Sequence, residues 1–136
     1  MNDKIYNWEQ FDNDVDKIIK HIKNHKLNIR GIYGIPRGGL ILATVLSNKL
    51  SIPLYLNLDE DKDAVIFKKK QLLNTQILIV DDISDSGKTL VDIPNIVNHY
   101  TITLWKKIDT KFVPNFWCRE NEPYQWIVFP WETKEI

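Results

Sequence analysis

The chain has 136 residues, with 18 Lys and Arg against 18 Asp and Glu, so it is formally neutral. A domain of this size buries about two-thirds of its unfolded surface, and a composition 43% apolar and 26% charged excludes wholesale disorder. Neutrality removes the broad attraction of a dedicated nucleic-acid binder while leaving room for a small basic pocket; the single cysteine, Cys118, excludes an intrachain disulfide framework and a cysteine-built zinc site.

Met1 to Asn7 carry acid early and lack an apolar core, so no secretory signal is expected there. No apolar run nears the roughly 20 residues needed to span a bilayer. The longest, Leu40 to Leu46, is interrupted by Thr44. These features predict a soluble, cytoplasmic protein with one domain over residues 1–136 and no membrane partner.

Asn7 and Gln10 form a capping-box pattern ahead of Trp8, Phe11, Val15, Ile18, Ile19 and Ile22, which recur at helical spacing. The opposite face is Asp, Asn and Lys, so an amphipathic helix is expected. His21 and His25 fall near its end, where positive charge suits the helix dipole; a solvated face explains them better than a metal pair. Ile29 to Ile35 reads as a strand stopped by Pro36, then Arg37-Gly38-Gly39, then an apolar helix from Leu40 to Leu50. Pro53 to Leu58 reads as another strand, followed by a charged loop over 59–63 and the run Lys68-Lys69-Lys70.

Ile77-Leu78-Ile79-Val80 is a continuous apolar run, as in a strand buried on both faces, and it ends in Asp81-Asp82. Gly87 opens a helical stretch to Val97 that Pro94 should kink. Ile102 to Trp105 is the next strand, closing at Lys106-Lys107. Alternating strands and helices predict an α/β fold, a mainly parallel sheet flanked by helices. The tail from 112 to 131 is rich in aromatics and turns, predicting a small aromatic lobe in place of another strand–helix unit.

The stretch Asp81-Asp82-Ile83-Ser84-Asp85-Ser86-Gly87-Lys88-Thr89 carries the most chemistry. Ligands of open α/β sheets bind beyond the carboxyl ends of the strands, so two acids delivered there by a buried strand can hold sugar hydroxyls or a metal. Ser86, Gly87 and Thr89 at a helix start can cradle a phosphate. Gly87-Lys88-Thr89 imitates the end of a P-loop, but Asp82 stands where that motif needs its first glycine. A receiver-type signalling domain is disfavoured by the missing acid pair after the first strand.

This strand, acid pair and small-residue loop resemble the hallmark of the type I phosphoribosyltransferases, and Ile35-Pro36-Arg37-Gly38-Gly39 resembles their pyrophosphate loop. The resemblance covers roughly residues 29 to 132. It implies binding of phosphoribosyl pyrophosphate (PRPP) with Mg²⁺ and transfer of ribose 5-phosphate to a base. Asp81 and Asp82 would bind the ribose hydroxyls and the metal, and Asp85 would act as acid or base at the reacting nitrogen. Asp85, Ser86, Gly87, Lys88 and Thr89 would surround the 5-phosphate, with Arg37 and Gly38 at the pyrophosphate.

Lys107 matches the lysine that reads the exocyclic oxygen in 6-oxopurine enzymes, and Trp126 to Glu132 resembles the late segment of the xanthine–guanine members. There Trp126 would stack on the purine, Ile127 would supply backbone bonds, and Glu132 would approach the exocyclic group or the metal shell. Trp105, Trp117 and Trp131 are better explained as core or subunit contacts, and Cys118 as a packing residue. The resemblance also implies a homodimer or homotetramer. One departure stands out: relatives carry a Ser-Tyr pair in a loop before the acid pair, whereas residues 57–71 contain neither. Lys68-Lys69-Lys70 could bind pyrophosphate or mark a charged strand edge. The competing readings are a catalytically weak regulatory protein of the same fold, and an enzyme for adenine, orotate or uracil.

Overall fold

The first helix starts as the capping box requires. In the computed structural model, which describes residues 3–58, 75–85 and 98–132, Asn7 Oδ1 accepts from Gln10 N at 2.8 Å and Gln10 Oε1 accepts from Asn7 N at 2.9 Å. Helix α1 (Trp8–Asn24) then turns Phe11, Val15, Ile18 and Ile22 into the core. Helix α2 (Gly38–Leu50) begins two residues before Leu40 and ends at Ser51, whose φ of 53° is left-handed.

Seven strands are described: β1 (Asp3–Ile5), β2 (Ile29–Gly34), β3 (Leu54–Tyr55), β4 (Gln76–Ser84), β5 (His99–Lys107), β6 (Phe116–Asn121) and β7 (Trp126–Val128). Five form one sheet in the order β3-β2-β4-β5-β6, with every neighbouring pair parallel. One face packs Leu78, Val80, Ile102 and Leu104 against Val15, Ile18, Leu42 and Leu46 of the helices. The other face gathers Ile77 and Ile79 with Ile35, Tyr33 and Phe112. This is the expected α/β fold with a parallel sheet flanked by helices. β1 and β7 pair with each other in a separate two-stranded sheet beside the aromatic lobe.

Several boundaries differ from the sequence expectation. β3 has two residues where six were expected. β4 runs four residues past Val80, so Asp81 and Asp82 lie within the strand; Asp81 pairs with Thr103 and Ser84 with Lys106 in register. β5 begins at His99, before Ile102. His21 is packed in place of standing on a solvated face: its ring stacks on Phe116 at 3.9 Å and its Nε2 lies 2.8 Å from the Tyr100 hydroxyl. Asp14, on the polar side of α1, is fully buried and meets Tyr6 Oη at 2.6 Å and Arg119 Nε at 2.7 Å.

The expected helix over 87–97, the charged loop at 59–63 and Lys68-Lys69-Lys70 lie outside the described residues. No described helix is long and apolar enough to cross a membrane.

Candidate active site

The strand order places a switch point between β2 and β4. The chain leaves β2 towards β3 at one side and returns as β4 on the other. In open α/β sheets this is where a crevice opens beyond the carboxyl ends of the strands. Three segments meet there: the turn after β2 with Pro36, Arg37 and Gly38; the end of β4 with Asp81 and Asp82; and Lys107 closing β5. Arg37 is exposed at the start of α2, and the Pro36–Arg37 peptide is cis.

Gly38 is required by the acid pair. A Cβ added at Gly38 would collide with the Asp82 carboxylate, so only hydrogen fits between the turn and β4. Asp81 Oδ1 accepts from the Asp82 N–H, and Asp82 Oδ1 from the Ile83 N–H, both at 2.8 Å. Gly38→Ala is expected to push the Asp82 carboxylate aside and to weaken, in calorimetry, the PRPP binding that the sequence resemblance implies; an unchanged affinity would show that the close approach is dispensable.

Burial lifts the Asp81 carboxyl well above the usual carboxylate range, and the charge of Asp82 beside it adds to the rise. Asp82 is also raised, chiefly by burial, with relief from its hydrogen bonds. A carboxyl raised on folding stabilises the fold below its unfolded pKa and loses that contribution as pH climbs through the folded pKa. At neutral and alkaline pH, Asp81 therefore costs stability. Asp81→Asn is expected to raise Tm at pH 8 while weakening PRPP binding, whereas a lower Tm would contradict this account of burial.

Two cavities share a wall at this crevice. The larger, about 650 Å³, is lined by Arg37, Gly38, Ile41, Asp82, Trp126, Trp131 and Glu132. The smaller, about 220 Å³, is lined by Asp82, Asp85, Lys107, Trp126, Ile127 and Glu132. Asp82, Trp126 and Glu132 thus face both. Inside the smaller cavity Lys107 Nζ lies 2.7 Å from Asp85 Oδ1, and the Asp85 side chain is 53% exposed. Trp126 is 62% exposed, so a flat ring is open to a ligand. The Glu132 carboxyl is raised by partial burial and by Asp82, with opposing help from the Phe129 backbone.

Arg37, Gly38, Asp82, Asp85, Lys107, Trp126, Ile127 and Glu132 are all walls of these two cavities. Asp81 stands beside Asp82, while Ser86, Gly87, Lys88 and Thr89 lie outside the described residues. Gln125 also lines the smaller cavity; no motif marks a lone glutamine in a turn, and sequence reading missed it. Trp131 stacks on Phe129 at 5.1 Å and packs on Phe11, as a core residue should, yet it also borders the larger cavity. Trp105 is buried against Tyr6. Cys118 is half-buried beside Asp14, and burial first, then the Asp14 charge, pushes its thiol up to about 12, as befits an unreactive packing residue.

Among the described residues no three His, Cys, Asp or Glu side chains form a group able to hold a metal. Mg²⁺ is commonly bound by one or two carboxylates together with substrate phosphates. Asp81 and Asp82, two adjacent carboxylates at this crevice, would fit that demand for hard oxygen donors.

Comparison with known proteins agrees with this geometry. The phosphoribosyl transferase domain profile matches residues 1–135. The xanthine-guanine phosphoribosyltransferase of Cereibacter sphaeroides is 31% identical over 115 residues, 76% of this chain and 69% of that protein. Its counterpart from Desulfotalea psychrophila is 24% identical over 136 residues, covering 93% and 84%. The crystal structure of a purine phosphoribosyltransferase from Pyrococcus horikoshii Ot3 superposes with a TM-score of 0.76 at 26% identity, over 100% of this chain and 98% of the other. A switch-point crevice carrying an acid pair and an arginine–glycine turn, together with a profile spanning almost the whole sequence, establishes that the chain belongs to the type I phosphoribosyltransferase family.

Proposed function

We propose that the protein transfers ribose 5-phosphate from PRPP to a 6-oxopurine (guanine, xanthine or hypoxanthine), releasing pyrophosphate and the nucleoside monophosphate in purine salvage. Transfer from PRPP to a base is the chemistry of its family. The choice of a 6-oxopurine rests on one observation above all: Lys107 and Asp85 stand 2.7 Å apart in a small cavity walled by Trp126. A 6-oxopurine offers a carbonyl acceptor to the ammonium and a ring N–H to the carboxylate, side by side on one edge. The two curated relatives, both xanthine-guanine enzymes, support the same reading.

The larger cavity would take PRPP, with Arg37 and the backbone at Gly38 facing the pyrophosphate. Asp81 and Asp82 would accept hydrogen bonds from the ribose hydroxyls. As the bond from C1 to the pyrophosphate oxygen breaks, positive charge grows on the ribose ring and negative charge on the leaving group. Arg37 then meets a leaving group whose negative charge increases as the bond breaks. As one imidazole nitrogen of the base bonds to C1, the base gives up the proton of the ring N–H that faces Asp85, and the carboxylate accepts it. Trp126 holds the base flat, a contact worth roughly 1–3 kcal/mol, and Lys107 fixes its oxygen. Asp81 and Asp82, with Glu132 nearby, would hold Mg²⁺, which when bound would supply neutralisation of the charge on PRPP.

Initial rates with PRPP and Mg²⁺ across guanine, xanthine, hypoxanthine, adenine, orotate and uracil test the reading. Turnover confined to the first three is expected. Turnover of another base would overturn the roles of Lys107 and Trp126. The absence of Ser and Tyr from residues 57–71 favours a second reading, a weakly catalytic regulatory protein; binding of PRPP without turnover of any base would select it.

A further inference from the structure

β7 carries Trp126 and Ile127 into the smaller cavity, yet it is not part of the five-stranded sheet. Its strand partner is β1: Lys4 pairs with Ile127 and Ile5 with Val128 in parallel register. An isolated pair of strands is at best marginally stable and needs packing to hold it. Tyr6 supplies that anchor. Its N–H donates to Val128 O at 2.9 Å, its ring meets Phe129 and Trp105 edge-on at 5.7 and 5.8 Å, and its hydroxyl donates to the buried Asp14 at 2.6 Å. Asp14 in turn is gripped by Arg119 of β6.

We propose that the backbone of Lys4 and Tyr6 positions the base-binding wall: a strap from α1 through Tyr6 and β1 that fixes where Trp126 and Ile127 stand. The inference rests on the reading of the smaller cavity as the base site. Because Tyr6 N–H points at β7, strand alternation points the Lys4 N–H at β7 as well and the Ile5 N–H away from it. Ile5 is 76% exposed, so its side chain contributes little packing. Trp126 walls both cavities, but Arg37, Gly38 and Asp82 of the larger one stand on α2, its preceding turn and β4, outside the β1–β7 pair, so the strap's larger effect falls on the base.

Paired proline substitutions test this, because proline removes a backbone N–H. Lys4→Pro is expected to raise the KM for the purine by at least about tenfold, with the KM for PRPP within about twofold of wild type. Hydrogen exchange over residues 123–132 should quicken in the same variant. Ile5→Pro should leave both readouts near wild type. Tyr6→Phe keeps the ring and cuts the tie to Asp14, and should shift the purine KM in the same direction.

Equal effects of the two prolines, a PRPP KM that rises in parallel, or unchanged exchange in Lys4→Pro would overturn the strap. Wild-type protein inert towards every base would remove the proposed function, and the exchange comparison alone would then decide the inference.

Discussion

Asp85→Asn is expected to lower kcat by about 10²–10⁴-fold, the range for loss of a positioned general base, with little change in the KM for PRPP. Asp85 is the carboxylate nearest the cation that would read the base, 2.7 Å from Lys107 Nζ, and it opens onto the smaller cavity. Asparagine has nearly the same shape but cannot accept the base proton. At its half-exposed position the exchange leaves folding intact, and an unchanged Tm is the check. Lys107→Met should behave differently. It removes recognition of the oxygen, so the purine KM rises while a smaller part of the loss falls on kcat. A kcat for Asp85→Asn within about threefold of wild type would remove Asp85 from the proton transfer.

Asp14→Ala is expected to cost about 3 kcal/mol of stability, the low end of roughly 3–5 kcal/mol for breaking a buried pair. Asp14 is fully buried, and its carboxylate receives Tyr6 Oη at 2.6 Å, Arg119 Nε at 2.7 Å and Arg119 Nη2 at 3.2 Å. Removing it leaves the buried Tyr6 hydroxyl unsatisfied and the guanidinium unpaired. The low end applies because the Arg119 side chain keeps 27% of its surface in solvent. With a urea slope of about 1–3 kcal/mol/M, the unfolding midpoint should fall by roughly 1–3 M. Asp14→Asn, which retains one acceptor, should lose less. The same carboxylate, after burial itself, contributes to raising the Tyr6 phenol above its ordinary range, so Tyr6 stays a donor throughout the stable pH range.

Asp14 also shows where a sequence stops being legible. It sits on the polar face of α1, and nothing local distinguishes it from Asp12 or Asp16. Its burial depends on Arg119, 105 residues away. His21 is the same case: the helix pattern places it near the end, but Phe116 and Tyr100 decide its surroundings. α1 itself was legible because capping box and apolar spacing act within a few residues.

The strands follow the same division. The run Ile77 to Val80 announces a doubly buried strand, but its continuation through Asp81 to Ser84 is set by pairing with Thr103, Trp105 and Lys106. β1 and β7 have three residues each, too few for a periodic signal, and only their pairing makes them strands. At the site, charged groups at strand ends were readable because chemistry restricts which residues serve there. Arg37, Asp82, Asp85, Lys107 and Trp126 do line the two cavities. Gln125 and the second surface of Trp131 were not readable, since each depends on the path of the chain and not on a motif.

The most direct test of the account is a phosphorus NMR time course of the wild-type protein with PRPP, Mg²⁺ and guanine. The diphosphate signals of PRPP should vanish while free pyrophosphate and a nucleoside monophosphate grow in equal amounts, and the mixture without base should stay unchanged. PRPP left intact, or pyrophosphate released without nucleotide, would contradict the assignment of the crevice to base transfer.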